Sequence, residues 1–200
     1  MAQRMNRLAV MQALKNHIRD EIVVSTYSCA LDWLEQGERE LNYFSHGAMG
    51  LASSHGIGLA LAEPDRKVVV LEGDGSLLMN LGTLVTIGAV APQNFILFCF
   101  QNDAYEANGG HPIPQAQAVD FPELARAAGI TNSSVIDDIG DFEREVGDIL
   151  RECGPTFVNL IIEQGPPRPR VGYDHLYTEE RRAALRRELG RPLGRVLGRD

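Results

Sequence analysis

The apolar positions of this chain predict an alternation of helices and short, fully apolar strands. From Asn6 to Asp20, Leu8, Val10, Met11, Leu14 and Ile18 recur at helical spacing. The β-branched run Ile22–Val24 inside Glu21–Thr26 reads as a buried strand, and Leu41–Phe44 as a weaker one. Met49 to Ala62, rich in Gly, Ala, Leu and Ser, suits a closely packed helix, with Pro64 beyond its end. Val68–Leu71 is a strong strand that runs into Gly73-Asp74-Gly75. Leu77 to Val90 then reads as one helix stopped by Pro92, and Phe95–Phe100 as a second continuous apolar strand leading into Gln101-Asn102-Asp103. Ala104 to Gln117, with Gly109-Gly110 and two prolines, reads as a loop without packed elements. A short helix over Phe121–Ala128, an amphipathic one over Asp141–Cys153 and a last strand over Thr156–Ile162 complete the pattern. Strands that are apolar throughout, alternating with helices, predict an α/β fold: a doubly wound parallel sheet with helices on both faces.

Composition bounds what such a domain can do. At 200 residues, 44% hydrophobic and 23% charged, the chain suits one α/β domain with a substantial core. Gly165–Arg170 reads as punctuation, so residues 1–165 are expected to form the domain and 166–200 an Arg-rich tail with a helix over Thr178–Leu189. The net charge of −8 is uneven: nine arginines and five acidic residues lie from Pro166 onward, so 10 of the 19 basic and 22 of the 27 acidic side chains precede it. An acidic body argues against nucleic acid as a partner, and the tail reads as an assembly element. Three scattered cysteines without CxxC spacing, no signal-type apolar segment and no run of membrane-spanning length predict a cytoplasmic protein with reduced thiols.

The chemistry is expected where two strong strands end. In open parallel sheets ligands sit beyond the carboxyl ends of the strands. Here one tip offers the Asp74 carboxylate and the other the Asn102 amide oxygen, hard donors of the kind Mg²⁺ takes alongside phosphate and water. The glycines beside Asp74 let backbone approach a phosphate, and the start of the following helix favours an anion. Each tripeptide alone is also ordinary turn composition. The combination is more specific: GDGS, a helix, a strand and then Asn102, with 25 residues between Gly75 and Gln101.

The segment GDGSLLMNLGTLVTIGAVAPQNFILFCFQND resembles the cofactor motif of thiamine diphosphate enzymes. The wider likeness runs from about Asn6 to Gly165 and is greatest toward the diphosphate-binding halves of sulfopyruvate and phosphonopyruvate decarboxylases, through LNYFSHGAMGLASSHGIGLALA, GSLLMNLGTL and AYEANGG. The resemblance implies thiamine diphosphate held through Mg²⁺ on Asp74, Asn102 and the Ala104 carbonyl. It puts Gly73, Gly75, Ser76, Ser28, Cys29 and Tyr105 around the diphosphate side. Gly47 and Met49 would hold the aminopyrimidine, with Met49 beneath the bent cofactor. Among candidate catalytic groups, His46 would precede that loop, and His111 and Asn108 would lie in the loop beside the reacting centre; solvated loop positions remain the other reading of the last two. His55 reads as a core or interface residue. Two departures stand out: Gln101 occupies a position usually Asn or Asp, and His111 one where close relatives tend to carry Gln.

Family members also need a Glu from a separate pyrimidine-binding domain. The resemblance therefore implies a split enzyme: this chain as one subunit, self-associating within a hetero-oligomer, and a partner subunit that brings the Glu. The expected substrate is a small anionic 2-oxo acid, with the cofactor as electron sink for loss of CO₂. An acetolactate synthase-like carboligase subunit is the enzymatic alternative. A cofactor-binding regulatory or scaffold subunit is another, against which the retained Asp74 and Asn102 argue. A nucleotide or flavin module would need a GxGxxG loop after the first strand, where the chain has Ser25-Thr26-Tyr27-Ser28-Cys29.

Overall fold

A computed structural model describes residues 4–45, 49–116, 118–165 and 173–190. Six parallel strands form the sheet: β1 Ile22–Ser25, β2 Asn42–Phe44, β3 Val68–Gly73, β4 Phe95–Gln101, β7 Asn132–Ile136 and β8 Thr156–Ile161, in the order β2-β1-β3-β4-β8-β7. The main helices are α1 Arg7–His17, α2 Tyr27–Glu35, α3 Ala52–Ala62, α4 Asp74–Met79, α5 Thr83–Val90, α6 Phe121–Ala127, α7 Ile139–Arg151 and α8 Glu179–Glu188. Asn6, Asp120, Asp138 and Thr178 cap α1, α6, α7 and α8 by accepting a backbone N–H three residues on.

Alternation along the strands divides the core in two. Val69, Leu71, Ile96, Phe98 and Val158 face one layer, with Leu14 of α1, Trp33 of α2 and Phe142 of α7. Val68, Val70, Phe95, Leu97 and Phe157 face the other, with Ile57 of α3, Ile87 of α5 and Phe121 of α6. Both faces of β3 and β4 are covered, which is why these strands are apolar at successive positions.

The pattern of elements departs from the sequence expectation in five places. The helix expected over Leu77–Val90 is two helices, broken where the Asn80 side chain donates to Gly50 O at 2.9 Å and to Ser54 Oγ at 3.3 Å. The helix expected from Met49 begins at Ala52, after a turn. The loop after β4 carries a small hairpin, β5 Ala104–Tyr105 against β6 His111–Pro112, and sends Ile113 into the core at 3% exposure. Neither α2 nor β7 was expected: α2 is only nine residues long, and β7 reads NSSVI, an edge strand with most of its side chains in water.

At the opposite edge, residues 173–190 pack on β2. Leu176 joins Phe44 and Ala30 in a separate apolar cluster, and Arg181 lies 5.3 Å over the Phe44 ring while its guanidinium binds Glu38. Among the described residues no helix is long and apolar enough to cross a membrane.

Candidate functional site

The strand order reverses direction between β1 and β3, since β2 lies on one side of β1 while the rest of the sheet lies on the other. A crevice opens at such a switch point beyond the carboxyl ends of the strands. Here it is a cleft enclosing about 430 Å³, counted to its open mouth, and it is lined from several elements at once, Arg7 of α1 and Ile162 beyond β8 included. Thr26, Tyr27, Ser28 and Cys29 come from the β1–α2 junction, and Met49 from the turn before α3. Gly73 to Ser76 come from the β3–α4 junction, and Asn102, Ala104 and Tyr105 from the end of β4 and its hairpin.

The two expected ligand side chains are brought together through the backbone. Asp74, 1% exposed, accepts from its neighbour Gly75 N at 2.7 Å and, through the other oxygen, from Asp103 N at 2.7 Å, so the tips of β3 and β4 are tied at the carboxylate. Burial, only partly offset by these two bonds, pushes the Asp74 carboxyl up to about 6. Asn102, 5% exposed, accepts from Ala104 N at 3.0 Å through Oδ1 and donates from Nδ2 to Glu106 Oε2 at 3.0 Å.

Beneath this floor a second, wholly buried acid organises the site. Glu72 accepts from the Ser76 hydroxyl at 2.7 Å and from the Ser53 hydroxyl, and burial raises its carboxyl. Ser76 Oγ in turn accepts from Gly50 N at 2.8 Å, fixing the Met49–Gly50 turn against the β3–α4 junction. The Ser76 hydroxyl, expected against a diphosphate, is thus bonded on both sides within the protein. The helix that follows the strand tip, α4, begins at Asp74 and runs for six residues.

Two observations test whether a cation and a diphosphate fit. Gly73 has φ −76° and, among the described residues, no atom within 4 Å of where a Cβ would stand, so neither its backbone nor its described neighbours require glycine. The space that a side chain would fill lies in the cleft. Thr26, 2% exposed, has a buried Oγ1 with no hydrogen-bond partner among the described residues, at the head of α2. Among the described residues there is no group of three His, Cys, Asp or Glu arranged for a metal. One carboxylate, one amide and backbone carbonyls form instead the oxygen-rich, ligand-poor set that Mg²⁺ completes with phosphate and water. The residues present fit the group.

The other expected residues fall as follows. Met49 and Tyr105 line the cleft; Ser28 and Cys29 do too, the latter with its thiol pushed by burial to about 12. His111 and Asn108 are exposed on the hairpin and are not among the lining residues. His46 and Gly47 lie outside the described residues. His55 bonds Ser45 Oγ through Nδ1 at 2.9 Å and packs against Tyr43, the placement of a half-buried structural histidine. The sequence reading did not single out Thr26 or Arg7. Thr26 was legible only as part of a strand end, and Arg7 carried no local signal.

Residues 24–160 match the model of the thiamine pyrophosphate enzyme C-terminal TPP-binding domain. The chain belongs to this family. The TPP-binding domain is 36% identical over 176 residues to the phosphonopyruvate decarboxylase of Streptomyces viridochromogenes, covering 85% of this chain and 44% of that protein. It is 42% identical over 115 residues to the sulfopyruvate decarboxylase subunit beta of Methanocaldococcus jannaschii, covering 58% of this chain and 60% of that subunit. The chain therefore spans about half the length of these curated relatives. Among solved structures, the thiamine diphosphate-dependent 4-hydroxybenzoylformate decarboxylase of Rhodococcus jostii superposes with a TM-score of 0.69 at 21% identity, over 82% of this chain and 34% of that one, a likeness of fold.

Proposed function

We propose that this TPP-binding domain is the diphosphate-side subunit of a split, Mg²⁺-dependent 2-oxo acid decarboxylase. The observation that carries the reading is that Asp74 and Asn102 line one cleft from adjacent strand tips, tied where the Asp74 carboxylate accepts from Asp103 N, and that Gly73 leaves space there that no described residue fills. On this reading Asp74, Asn102 and the Ala104 carbonyl hold the cation. The backbone at Gly73 and Gly75 and the Thr26 hydroxyl receive the diphosphate, and Met49 supports the rest of the cofactor from the turn locked by Ser76 and Glu72. When bound, thiamine diphosphate supplies a nucleophilic carbon and an electron sink for the loss of CO₂. The chain's own part is to fix the charged end of that group.

A small anionic 2-oxo acid such as sulfopyruvate or phosphonopyruvate as substrate is supported by the names of the two relatives. A partner subunit bringing a pyrimidine-binding domain and its Glu is supported by the match to a protein named as a subunit. Three free cysteines, two of them buried, accord with a reducing, cytoplasmic setting.

Calorimetric titration of the full chain with thiamine diphosphate and Mg²⁺ tests the site: binding by the wild type and its loss in Asp74→Ala are expected. A wild type that binds neither overturns the reading. Addition of the partner subunit is expected to start CO₂ release from sulfopyruvate or phosphonopyruvate, whereas turnover by this chain alone overturns the split.

A further inference from the structure

Arg7 stands on the first turn of α1 with 5% exposure, and nothing in the pattern of that helix gives it a task. Its Nε meets Asp32 of α2, and its Nη1 meets Glu106 in the 3₁₀ turn after β5. Two side chains of this triad are closed to water, Arg7 at 6% and Asp32 at 0% exposure, and the third, Glu106 at 15%, is largely so. The chain beyond β8 shuts over them, since a Cβ on Gly165 would stand 2.5 Å from Glu106 Oε1 and 2.7 Å from Arg7 Nη2. A buried ion pair is weak evidence for stability, because desolvation offsets the attraction. Its geometry here reaches into the cleft.

The Glu106 oxygen that faces Arg7, Oε2, is also the one that accepts from Asn102 Nδ2 at 3.0 Å. The amide's other end, Oδ1, accepts from Ala104 N. The two ends of an asparagine amide have nearly the same shape, yet only the oxygen ligates a cation. A carboxylate held by a guanidinium accepts hydrogen bonds and cannot donate them. Turning the Asn102 amide over would set its oxygen against Glu106 and its NH₂ against the Ala104 N–H, two donor–acceptor mismatches in a buried place.

We propose that Glu106, anchored by Arg7, is a positioning residue that holds the Asn102 amide with its oxygen available to a divalent cation. The inference rests on the reading of the cleft as a cation–diphosphate site. Arg7 fixes Glu106 by joining three separate elements, α1, α2 and the turn that follows β5, so the orientation of one amide is set by residues about a hundred positions apart in the chain.

The test uses Mn²⁺ as the probe, titrated into the full chain with thiamine diphosphate present and followed by the electron paramagnetic resonance of free Mn²⁺. Glu106→Ala is expected to weaken Mn²⁺ binding by roughly 10–100-fold and to lower the melting temperature, since it leaves the buried Arg7 guanidinium with Asp32 alone among the described residues. Glu106→Gln retains an acceptor for Asn102 Nδ2 and is expected to recover most of that loss, which a merely structural role would not predict. Arg7→Lys keeps the charge but not the two-sided grip, and is expected to weaken Mn²⁺ binding in the same direction by a smaller factor. Wild-type affinity in Glu106→Ala, or equal loss in the Ala and Gln variants, overturns the proposal. If Glu106→Ala does not fold, Arg7→Lys decides: unchanged Mn²⁺ affinity there overturns it. A wild type that takes up no Mn²⁺ in the presence of thiamine diphosphate removes the underlying site, an outcome distinct from failure of the relay.

Discussion

Replacing Gly75 by alanine sets a gain in the fold against a loss at the cleft. Gly75 lies in α4 without a positive φ, so alanine fits its backbone and should contribute about 1 kcal/mol in helix propensity. Its Cβ, however, would stand 2.5 Å from Tyr105 Cδ1, 2.8 Å from Cε1 and 3.4 Å from Ile113 Cγ2. Ordinary contact requires the Tyr105 ring to withdraw by roughly 1 Å. The ring is half-buried and has room to move, but it is attached to β5, one residue after Ala104, so the shift is passed to the carbonyl assigned to the cation. The melting temperature of Gly75→Ala should stay within about 4 °C of wild type, the scale of 1 kcal/mol in a domain of this size. Affinity for thiamine diphosphate with Mg²⁺ should fall at least about tenfold, or about 1.4 kcal/mol. Circular dichroism melts and calorimetric titration measure the two separately. Gly73→Ala, which meets no atom of the described residues, should lose cofactor affinity without a change in melting at all. Wild-type affinity in Gly75→Ala would refute the link from Gly75 through Tyr105 to the site, and a collapse in melting temperature would show that this glycine serves the fold.

Two further outcomes follow from packing and burial. In Gly88→Ala the new Cβ would stand 2.0 Å from Ala128 O and 3.2 Å from Gly129 Cα, backbone atoms that cannot step aside, so despite the helix gain we expect a loss of about 1–3 kcal/mol, read as a lower urea midpoint. An unchanged midpoint would mean that α5 and the end of α6 are not in contact. Iodoacetamide at pH 8 should label the exposed Cys153 alone in the native protein and all three thiols after unfolding, since burial pushes Cys29 up to about 12 and Cys99 well above its ordinary value. Native labelling of Cys29, detected by mass spectrometry, would contradict its burial beside the cleft.

What could be read from the sequence divides along physical lines. β1, β3 and β4 are buried on both faces and each leaves an unbroken apolar run, Ile22–Val24, Val68–Leu71 and Phe95–Phe100, and the strand tips that carry Asp74 and Asn102 follow from the ends of the last two. β7 lies at an edge with Asn132 and Ser134 in water, and such a strand has the composition of a loop. The break between α4 and α5 depends on Asn80 bonding to Gly50, thirty positions away, and no local pattern records it. The same holds for Arg7, whose partners Asp32 and Glu106 are remote in the chain. His111 and Asn108 show the converse. Their residue types drew attention in the sequence, while their place on an exposed hairpin, which pairs Tyr105 with His111, has no local signal.

The packing of α8 against β2 makes the two ends of the sheet unequal as templates. An incoming strand at the β2 end would have to compete with Leu176, Leu185 and the Arg181 guanidinium over Phe44. At the β7 end it would meet exposed Asn132, Ser134 and Val135. Accretion of further strands is thus directed to one rim. The arginine-rich segment, whose charge alone suggested an outward purpose, places one of its charges, Arg181, on Glu38 and over Phe44 at the other rim.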